Sequence, residues 1–234
     1  MTKVILVQAD NRPNLEYLLL TQKINKQFCD KLGYEYKFIE IDNNKYGNIH
    51  PATKKIHIVN DFLNSTDCDA VIFLDSDAWI VDGSKTKLII NNLLNNEKKH
   101  GCFSRDPYVK KNTYINSGSF IIKNNTYIKK MYRNILQHLN ENDDYHKRWP
   151  YDQYYVSKEI FEHREDFVIF VPDILNTPIG KVFKHNWLKN GGMWNQLKRE
   201  PYLNIIDNPD FVEENYYDNE CYPNKKASGY QYFW

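Results

Sequence analysis

The sequence lacks paired cysteines and any marked excess of one charge. Its 4 cysteines are scattered along the chain without a Cys-x-x-Cys pair, which favours free thiols in a reducing compartment over a disulfide framework or a zinc site. Lysine and arginine total 31 against 30 acidic residues, and this balance argues against a nucleic-acid-binding protein or a polybasic membrane anchor. We therefore expect no nucleic-acid partner.

Long apolar runs are also missing. No apolar stretch is long enough to span a bilayer, and Met1-Thr2-Lys3 leads directly into a short strand-like run from Val4 to Val7 instead of a signal peptide. These features predict a cytoplasmic protein with no transmembrane anchor in this chain. A Golgi-type lumenal location is the alternative if an anchor was trimmed from the sequence.

Two glycine-rich nucleotide motifs are absent as well. No Gly-x-Gly-x-x-Gly follows the first predicted strand, and no Gly-x-x-x-x-Gly-Lys-Ser/Thr occurs anywhere. The first absence excludes the usual dinucleotide fingerprint and the second excludes a P-loop. Any nucleotide must therefore be held in another way.

The elements that are present predict an α/β fold. The 234 residues, 41% of them hydrophobic, suffice for one large domain. A strand from Val4 to Val7, a helix that stops at Gly33 and a strand from Tyr34 to Ile41 form a βαβ opening. We predict a single doubly wound, Rossmann-like domain with a mostly parallel sheet. Its core spans about residues 1–190, and an irregular aromatic tail at about residues 191–234 packs on it.

The most informative stretch follows the apolar run from Ala70 to Leu74, which suits a strand buried on both faces. Asp75 and Asp77 come directly after this run, where open α/β sheets bind ligands. The two carboxylates would repel each other, and a divalent cation shared with a phosphate would relieve the repulsion. A polar turn is the competing interpretation. The apolar residues Trp79 to Val81 just after the turn favour the cleft.

Further polar residues are expected at the same edge of the sheet. Asp10 and Arg12 follow the first strand and are candidates for contacts with a nucleoside. His50-Pro51 opens a helix whose first turn delivers Lys54 or Lys55 as a fixed positive charge. The sequence thus predicts that several elements contribute to one site.

Three later segments complete the set of candidates. The stretch from Thr113 to Ile122 reads as two extended pieces hinged at Asn116-Ser117-Gly118, with Gly118 either admitting a ligand or forming a simple bulge. Asp152 lies near the positive end of a helix that starts after Pro150. His185 falls in an irregular segment with Lys189 close behind, so the imidazole is a candidate metal ligand and the ammonium a candidate diphosphate contact.

Taken in order, these segments resemble the GT-A glycosyltransferases, which use nucleotide-sugar donors. Leu74-Asp75-Ser76-Asp77 is similar to their hydrophobic-Asp-x-Asp element, Asn116-Ser117-Gly118 to their Asn-x-Gly segment and Trp149-Pro150-Tyr151-Asp152-Gln153 to their Asp-Gln element. His185 resembles their late histidine ligand. With His50-Pro51 and Lys55-Ile56 included, the chain is most similar to the α-galactosyl/α-mannosyltransferase and xyloglucan xylosyltransferase family.

The resemblance implies roles for these residues. Asp75, Asp77 and His185 would hold Mn²⁺ or Mg²⁺ against the donor diphosphate. Asp152 and Gln153 would lie at the reacting carbon as the catalytic pair. The nucleotide-sugar would contact a larger set of residues, namely Asp10, Arg12, Lys55, Asp75, Ser76, Asn116, Ser117, Gly118 and Lys189.

The implied function is a metal-dependent transfer of a sugar from a nucleotide-sugar, preferably a UDP-sugar, to a glycan or other hydroxyl acceptor with retention of configuration. If the reaction inverts, Asp152 is the candidate base. Three alternatives stay open: a non-catalytic nucleotide-sugar or carbohydrate-binding protein, a nucleotidyltransferase that makes sugar nucleotides, and an Asp-x-Asp phosphotransferase with Asp75 as nucleophile. Trp79 disfavours the last, because that motif has Thr or Val at this place.

Overall fold

The computed structural model describes residues 2–42, 44–107, 109, 114–141 and 146–186. The described residues form strands and helices that alternate along most of the chain. The strands are β1 (Val4–Asp10), β2 (Glu35–Glu40), β3 (Ala70–Leu74), β4 (Ala78–Ile80), β5 (Gly101–Arg105), β6 (Ile115–Lys123), β7 (Phe167–Phe170) and β8 (Phe183–His185). The helices are α1 (Glu16–Leu32), α2 (Pro51–Ser65), α3 (Gly83–Asn95), α4 (Thr126–Glu141), α5 (Gln153–Glu162) and α6 (Pro172–Leu175).

Six strands form one central sheet in the order β2-β1-β3-β6-β5-β7. β1 pairs in parallel with β2 and β3, and β5 pairs in parallel with β7. β6 runs antiparallel to both of its neighbours, β3 and β5, so five of the six strands share one direction. The predicted α/β class with a mostly parallel sheet is confirmed.

Helices cover both faces of this sheet. Side chains of β3 alternate between two apolar cores, with Ile72 and Leu74 in one and Val71 and Phe73 in the other. The first core also contains residues of α1 and α3, and the second contains residues of α2, α4 and α5. All five residues of β3 are buried, as predicted from its continuous apolar run.

Local sequence signals explain where several helices begin and end. α1 stops at Gly33, which adopts the left-handed conformation with φ of 71° and donates its N–H to the Asp30 carbonyl. α2 starts at Pro51, and the ring of His50, the residue before it, accepts the Ala52 N–H. α3 is capped by Asp82, whose carboxylate accepts the Lys85 N–H at 2.8 Å.

Two predicted segments differ from the structure. β6 is one continuous strand, Ile115–Lys123, and not two pieces hinged at Asn116-Ser117-Gly118. β5 pairs with Ile115 and Asn116 at its start, and β3 pairs with residues 119–123. Its pairing with β5 is irregular between these parts, where the register shifts between Cys102 and Ser104. The segment predicted to be irregular around His185 is strand β8, which pairs antiparallel with β4 in a second, two-stranded sheet.

Other predictions concern residues beyond those described. Lys189 and the predicted tail at residues 191–234 lie outside the described residues, so the single-domain boundary stays a prediction. Within the part of the chain that is described, no helix combines the length and apolar character needed to cross a membrane.

Candidate active site

A tight turn between β3 and β4 places two carboxylates at the carboxyl edge of the sheet. The Ala78 N–H donates to the Asp75 carbonyl at 3.0 Å, and the Asp75 N–H donates to the Gly118 carbonyl of β6 at 2.7 Å. From β1, the buried Gln8 amide donates to the Asp75 carbonyl at 3.1 Å and to the Ala78 carbonyl at 3.3 Å. Both neighbouring strands therefore fix the backbone that carries Asp75 and Asp77.

His185 reaches this turn from β8. The pairing of β8 with β4 sets His185 opposite Ala78, and its Nε2 lies 3.2 Å from Asp77 Oδ1 and 3.9 Å from Asp75 Oδ2. One ligand atom from each of Asp75, Asp77 and His185 lies within 4.8 Å of the others. The structure thus brings together the three side chains that the sequence analysis chose as metal ligands.

Gly118 makes room for the imidazole of His185. A Cβ atom at position 118 would lie 1.9 Å from His185 Cε1 and 2.4 Å from Nδ1. The ring therefore packs directly on the Gly118 backbone, at the place where β6 departs from its pairing with β5. The sequence left open whether Gly118 admits a ligand or forms a simple bulge; in the structure it lies where the register with β5 shifts, and it makes room for His185.

The chemistry of these donors fits a divalent cation. Two carboxylate oxygens and one imidazole nitrogen suit Mn²⁺ or Mg²⁺, which take hard oxygen ligands and keep further positions for phosphate or water. The carboxylates of Asp75 and Asp77 are part-exposed, with side-chain exposures of 31% and 24%. A cation bound there would therefore stay accessible to a diphosphate.

A buried lysine joins the metal-ligand group to the predicted catalytic pair. Lys55 Nζ donates to Asp75 Oδ1 at 3.0 Å and to the Ser117 carbonyl at 3.0 Å, and it lies 3.5 Å from Asp152 Oδ2. Burial lowers the pKa of Lys55, but the Asp152 and Asp75 carboxylates outweigh burial and raise it above the ordinary value. Lys55 is therefore a permanent positive charge between two carboxylates.

Asp152 and Gln153 lie beside the bulged part of β6, residues 117–120, where the register with β5 shifts. Asp152 is buried, and among the described residues its Oδ2 has an ion pair with Lys55 Nζ at 3.5 Å but no hydrogen bond of ordinary geometry. Gln153 Oε1 accepts the Ser117 N–H at 3.2 Å. The start of α5 is thus tied to the same segment that contacts Lys55 and His185.

Asn116 has a structural task in this segment. Its Oδ1 accepts the Gly118 N–H at 2.9 Å, and its Nδ2 donates to Asp106 Oδ2 at 3.1 Å. Both ends of the amide are therefore engaged in holding the backbone that carries Ser117 and Gly118. The role in sugar binding that the resemblance implied for Asn116 stays a prediction.

A cavity of about 210 Å³ leads from the end of β1 to the metal-ligand group. Its lining includes Asp10, Arg12, Tyr17, Lys55, Asp75 and Ser76. The Arg12 guanidinium donates to both Asp10 oxygens, from Nε at 3.0 Å and from Nη2 at 3.1 Å. The predicted nucleoside contacts thus line the same cavity as Asp75 and Asp77, two of the three predicted metal ligands.

Solved structures of glycosyltransferases share this arrangement of strands and helices. The chain matches a glycosyltransferase involved in the glycosylation of the major capsid of PBCV-1 with a TM-score of 0.64 and 16% identity, over 82% of this chain and 98% of that one. It matches the glycosyltransferase GlyE of Streptococcus pneumoniae TIGR4 with a TM-score of 0.55 and 12% identity, over 88% of this chain and 63% of GlyE. No family model and no curated protein matches the sequence.

The chain has the same fold as these solved glycosyltransferases. The apo form of GlyE gives the same result, with a TM-score of 0.54 and 13% identity. This chain covers nearly all of the PBCV-1 enzyme but 63% of GlyE. At these identities the likeness establishes the fold, and the activity has to follow from the side chains described above.

Two residues that contribute to the site were not predicted from the sequence. Tyr17 of α1 lines the cavity, but its place in an amphipathic helix gave no sign of this. Asn176, just after α6, accepts a hydrogen bond from the His185 ring, and no spacing rule links the two positions. Lys189, which was predicted to face the diphosphate, lies outside the described residues.

Burial and mutual repulsion make the metal-ligand group sensitive to pH. Burial, with repulsion from Asp77 and Asp152, raises the pKa of Asp75 to about 6 in spite of Lys55 and His185. Burial lowers the pKa of His185, but the Asp77 and Asp75 carboxylates outweigh it and raise the pKa above the ordinary 6.5. Without a cation, both groups therefore keep their protons to a higher pH than they ordinarily would.

We therefore expect Mn²⁺ to raise the unfolding temperature more at about pH 7.5 than at about pH 5.5. The raised pKa of Asp75 means that stability is lost as the pH climbs from its ordinary 3.8 through about 6. The stabilising charge on His185 is lost as the pH rises through its raised pKa. A cation replaces these protons, so its effect grows with pH. The unfolding temperature, measured with Mn²⁺ and with EDTA at both pH values, gives the shift that Mn²⁺ causes. An equal shift at the two pH values would contradict the assignment of Asp75 and His185 as metal ligands.

Proposed function

We propose that the chain is a metal-dependent glycosyltransferase that moves a sugar from a UDP-sugar to a hydroxyl of a glycan, with retention of configuration. The observation that carries this proposal is the group of Asp75, Asp77 and His185 at the carboxyl edge of β3, in a glycosyltransferase fold and beside a cavity. Such a group is what binding of a donor diphosphate through Mn²⁺ or Mg²⁺ needs. The preference for UDP rests on the resemblance of the motifs.

The donor would lie along the sheet edge in a definite order. Asp10 and Arg12 at the end of β1 line the cavity and suit the nucleoside. Asp75, Asp77 and His185 at the end of β3 suit the diphosphate. Asp152 and Gln153 lie next along the edge, beside β6, and suit the sugar. This order places the bond between sugar and phosphate near Lys55, Asp75 and Asp152.

In the reaction, the bond between the anomeric carbon and the diphosphate oxygen breaks while the acceptor oxygen bonds to that carbon. Asp75, Asp77 and His185 would hold a cation, which would supply Lewis-acid stabilisation of the charge on the leaving diphosphate. Asp152 stabilises positive charge on the sugar or orients its hydroxyls, while Gln153 holds the Ser117 backbone beside it. The acceptor proton leaves with the diphosphate, so retention needs no strong base.

The test is a thermal-shift screen of UDP, GDP and CMP with Mn²⁺, followed by hydrolysis of the matching sugar nucleotides. We expect UDP to stabilise the chain only when Mn²⁺ is present, and UDP to be released from one or more UDP-sugars. Binding without turnover across the donor panel would favour the non-catalytic alternative. A phosphorylated Asp75 would favour the phosphotransferase.

We infer that the acceptor sugar stacks on Trp149. This side chain is 61% exposed, and its ring stacks against Tyr114, with centroids 6.1 Å apart. Tyr114 directly precedes β6, on the opposite side of β3 from the nucleoside cavity at β1. An exposed indole backed by a second ring suits the apolar face of a sugar. Trp149 also lies three residues before Asp152.

The variant Trp149→Ala is expected to raise the KM for the acceptor about fivefold, because an aromatic stacking contact contributes about 1 kcal/mol. Hydrolysis of the donor in the absence of acceptor should stay within about twofold of the wild-type rate, because it needs no stacking contact. Steady-state kinetics with and without acceptor measure both. Leu88→Ala is the control, because Leu88 is a similarly exposed apolar residue, on α3. Equal effects of both variants on acceptor KM would contradict the inference.

A further inference from the structure

We propose that Asn176 is a positioning residue that fixes the orientation and the tautomer of His185, and thereby sets the affinity of the site for a divalent cation. The inference deepens the proposed function, because it rests on His185 being a metal ligand. Asn176 does not contact the cation position itself. It acts through the imidazole.

Asn176 is fully buried and follows the short helix α6. Its Nδ2 donates to the Ser119 carbonyl at 3.0 Å and to the Asn116 carbonyl at 3.3 Å. Its Oδ1 lies 2.6 Å from the Ser119 hydroxyl, which also contacts the Leu175 carbonyl, and 3.1 Å from His185 Nδ1. One side chain thus links α6, the bulged part of β6 and the histidine of β8.

These contacts determine which way the amide points. The carbonyls of Asn116 and Ser119 can only accept hydrogen bonds, so the NH₂ end of Asn176 must face them. The Oδ1 end is then directed at His185. A flipped amide would set an oxygen against two carbonyl oxygens and leave buried polar atoms without partners, which is costly.

The direction of the amide determines where the imidazole carries its proton. Because Oδ1 can only accept, Nδ1 of His185 must be the donor in this contact. In the neutral ring the lone pair is then on Nε2, which is the nitrogen that faces Asp77 at 3.2 Å and Asp75 at 3.9 Å. A histidine that binds a metal usually donates its other ring N–H to such an oxygen.

Gly118 and Asn176 hold the ring in complementary ways. The Gly118 backbone packs against the imidazole and limits its translation. The hydrogen bond from Nδ1 to Asn176 limits its rotation. Loss of this bond leaves the ring in place but lets it turn Nε2 away from the two carboxylates.

The experiment compares Mn²⁺ binding by calorimetry for the full chain and three variants. Asn176→Ala is expected to weaken Mn²⁺ binding about 10- to 100-fold, as is typical when a partner of a ligating histidine is removed. Ser119→Ala is the matched control, because it removes the buried hydroxyl that contacts the same Oδ1 and the Leu175 carbonyl, without touching His185. We expect its Kd to stay within about threefold of the wild-type value, well below the loss typical of a histidine partner.

Asn176→Asp separates positioning from general support of the fold. It keeps an oxygen that accepts from His185 Nδ1, but it loses both Nδ2 donors and sets a carboxylate against two carbonyls. A purely structural role predicts that this variant binds Mn²⁺ at least as poorly as Asn176→Ala. Positioning predicts that it binds Mn²⁺ more tightly than Asn176→Ala, even though it unfolds at a lower temperature in EDTA.

The outcomes distinguish this inference from the proposed function. Wild-type affinity in Asn176→Ala, or equal losses in Asn176→Ala and Ser119→Ala, would overturn the role of Asn176 and leave the metal site intact. A wild-type chain that binds no Mn²⁺ in the presence of UDP would overturn the metal site and this inference with it. Thermal unfolding in EDTA confirms that each variant used for binding is folded.

Discussion

Replacing Asp77 with asparagine is expected to lower the turnover of sugar transfer about 10²-fold or more, a loss typical of removing one electrostatic stabiliser. Asp77 Oδ1 lies 3.2 Å from His185 Nε2 and supplies one of two carboxylates in the metal-ligand group. The variant keeps the size of the side chain and removes its charge. Release of UDP at saturating donor, measured across a Mn²⁺ titration, tests the expectation.

Asp67→Asn is the matched control for this variant. Asp67 is exposed and lies before β3, at the opposite end of the strand from Asp77. Its substitution removes the same charge from the chain and should leave both turnover and Mn²⁺ dependence unchanged. Near-normal transfer by Asp77→Asn that resists EDTA would remove the metal from the mechanism.

Asp75→Asn should reduce turnover by a similar factor without lowering stability at about pH 7.5. Lys55 donates to both oxygens of Asp75, at 3.0 and 3.3 Å, but burial and repulsion from Asp77 and Asp152 outweigh this contact and raise the pKa of Asp75 to about 6. The ionised carboxylate is therefore the less favourable form in the folded chain above that pH, and a neutral amide removes this penalty. We expect the unfolding temperature of Asp75→Asn in EDTA to be at least that of the wild-type chain, and a clear decrease would contradict the expectation.

The sequence was informative where a local pattern determines structure. The continuous apolar run from Ala70 to Leu74 identified the central strand, because only a strand covered on both faces is apolar at every position. Gly33 and Pro51 marked the end and the start of helices that the structure contains. Asp75 and Asp77 followed from these elements, since the carboxyl edge of such a strand is where ligands bind.

Local sequence patterns could not predict which distant segments pair with each other. The short strand β8 has three residues, and it is a strand because β4 pairs with it, which no periodicity near His185 signals. The continuity of β6 through Gly118 likewise depends on distant segments, because β5 pairs with Ile115 and Asn116 and β3 pairs with residues 119–123. The contact between Asn176 and His185 forms because α6 and β8 lie next to each other in the fold. The metal ligands could therefore be predicted from the sequence, but the residue that contacts the His185 ring could not.

Gly118→Ala is expected to weaken Mn²⁺ binding about 10²-fold, because a displacement of about 1 Å at a preorganised site has effects of this size. The added Cβ would lie 1.9 Å from His185 Cε1, a distance that no small adjustment relieves. The imidazole must move, and Nε2 moves with it away from Asp77. Calorimetric titration of Mn²⁺, with donor hydrolysis as a second readout, measures the loss.

Gly83→Ala is the matched control, because among the described residues the nearest neighbours of the Cβ it adds would be the Phe28 ring at 3.2 Å and the Leu32 side chain at 3.6 Å. Gly83 begins α3, far along the chain from β6. We expect this variant to bind Mn²⁺ as the wild-type chain does. Wild-type affinity in Gly118→Ala would mean that the His185 ring does not rest on Gly118.

The stability of the same variants tests the cause of the loss. Overpacking of this kind costs about 1–3 kcal/mol of folding free energy, and the cost in Gly118→Ala depends on His185 being present. The double variant Gly118→Ala/His185→Ala should therefore be more stable in EDTA than the sum of the two single changes predicts, because removal of the ring relieves the clash. Strict additivity would contradict a direct contact, since residues in contact show coupling of about 0.5–3 kcal/mol.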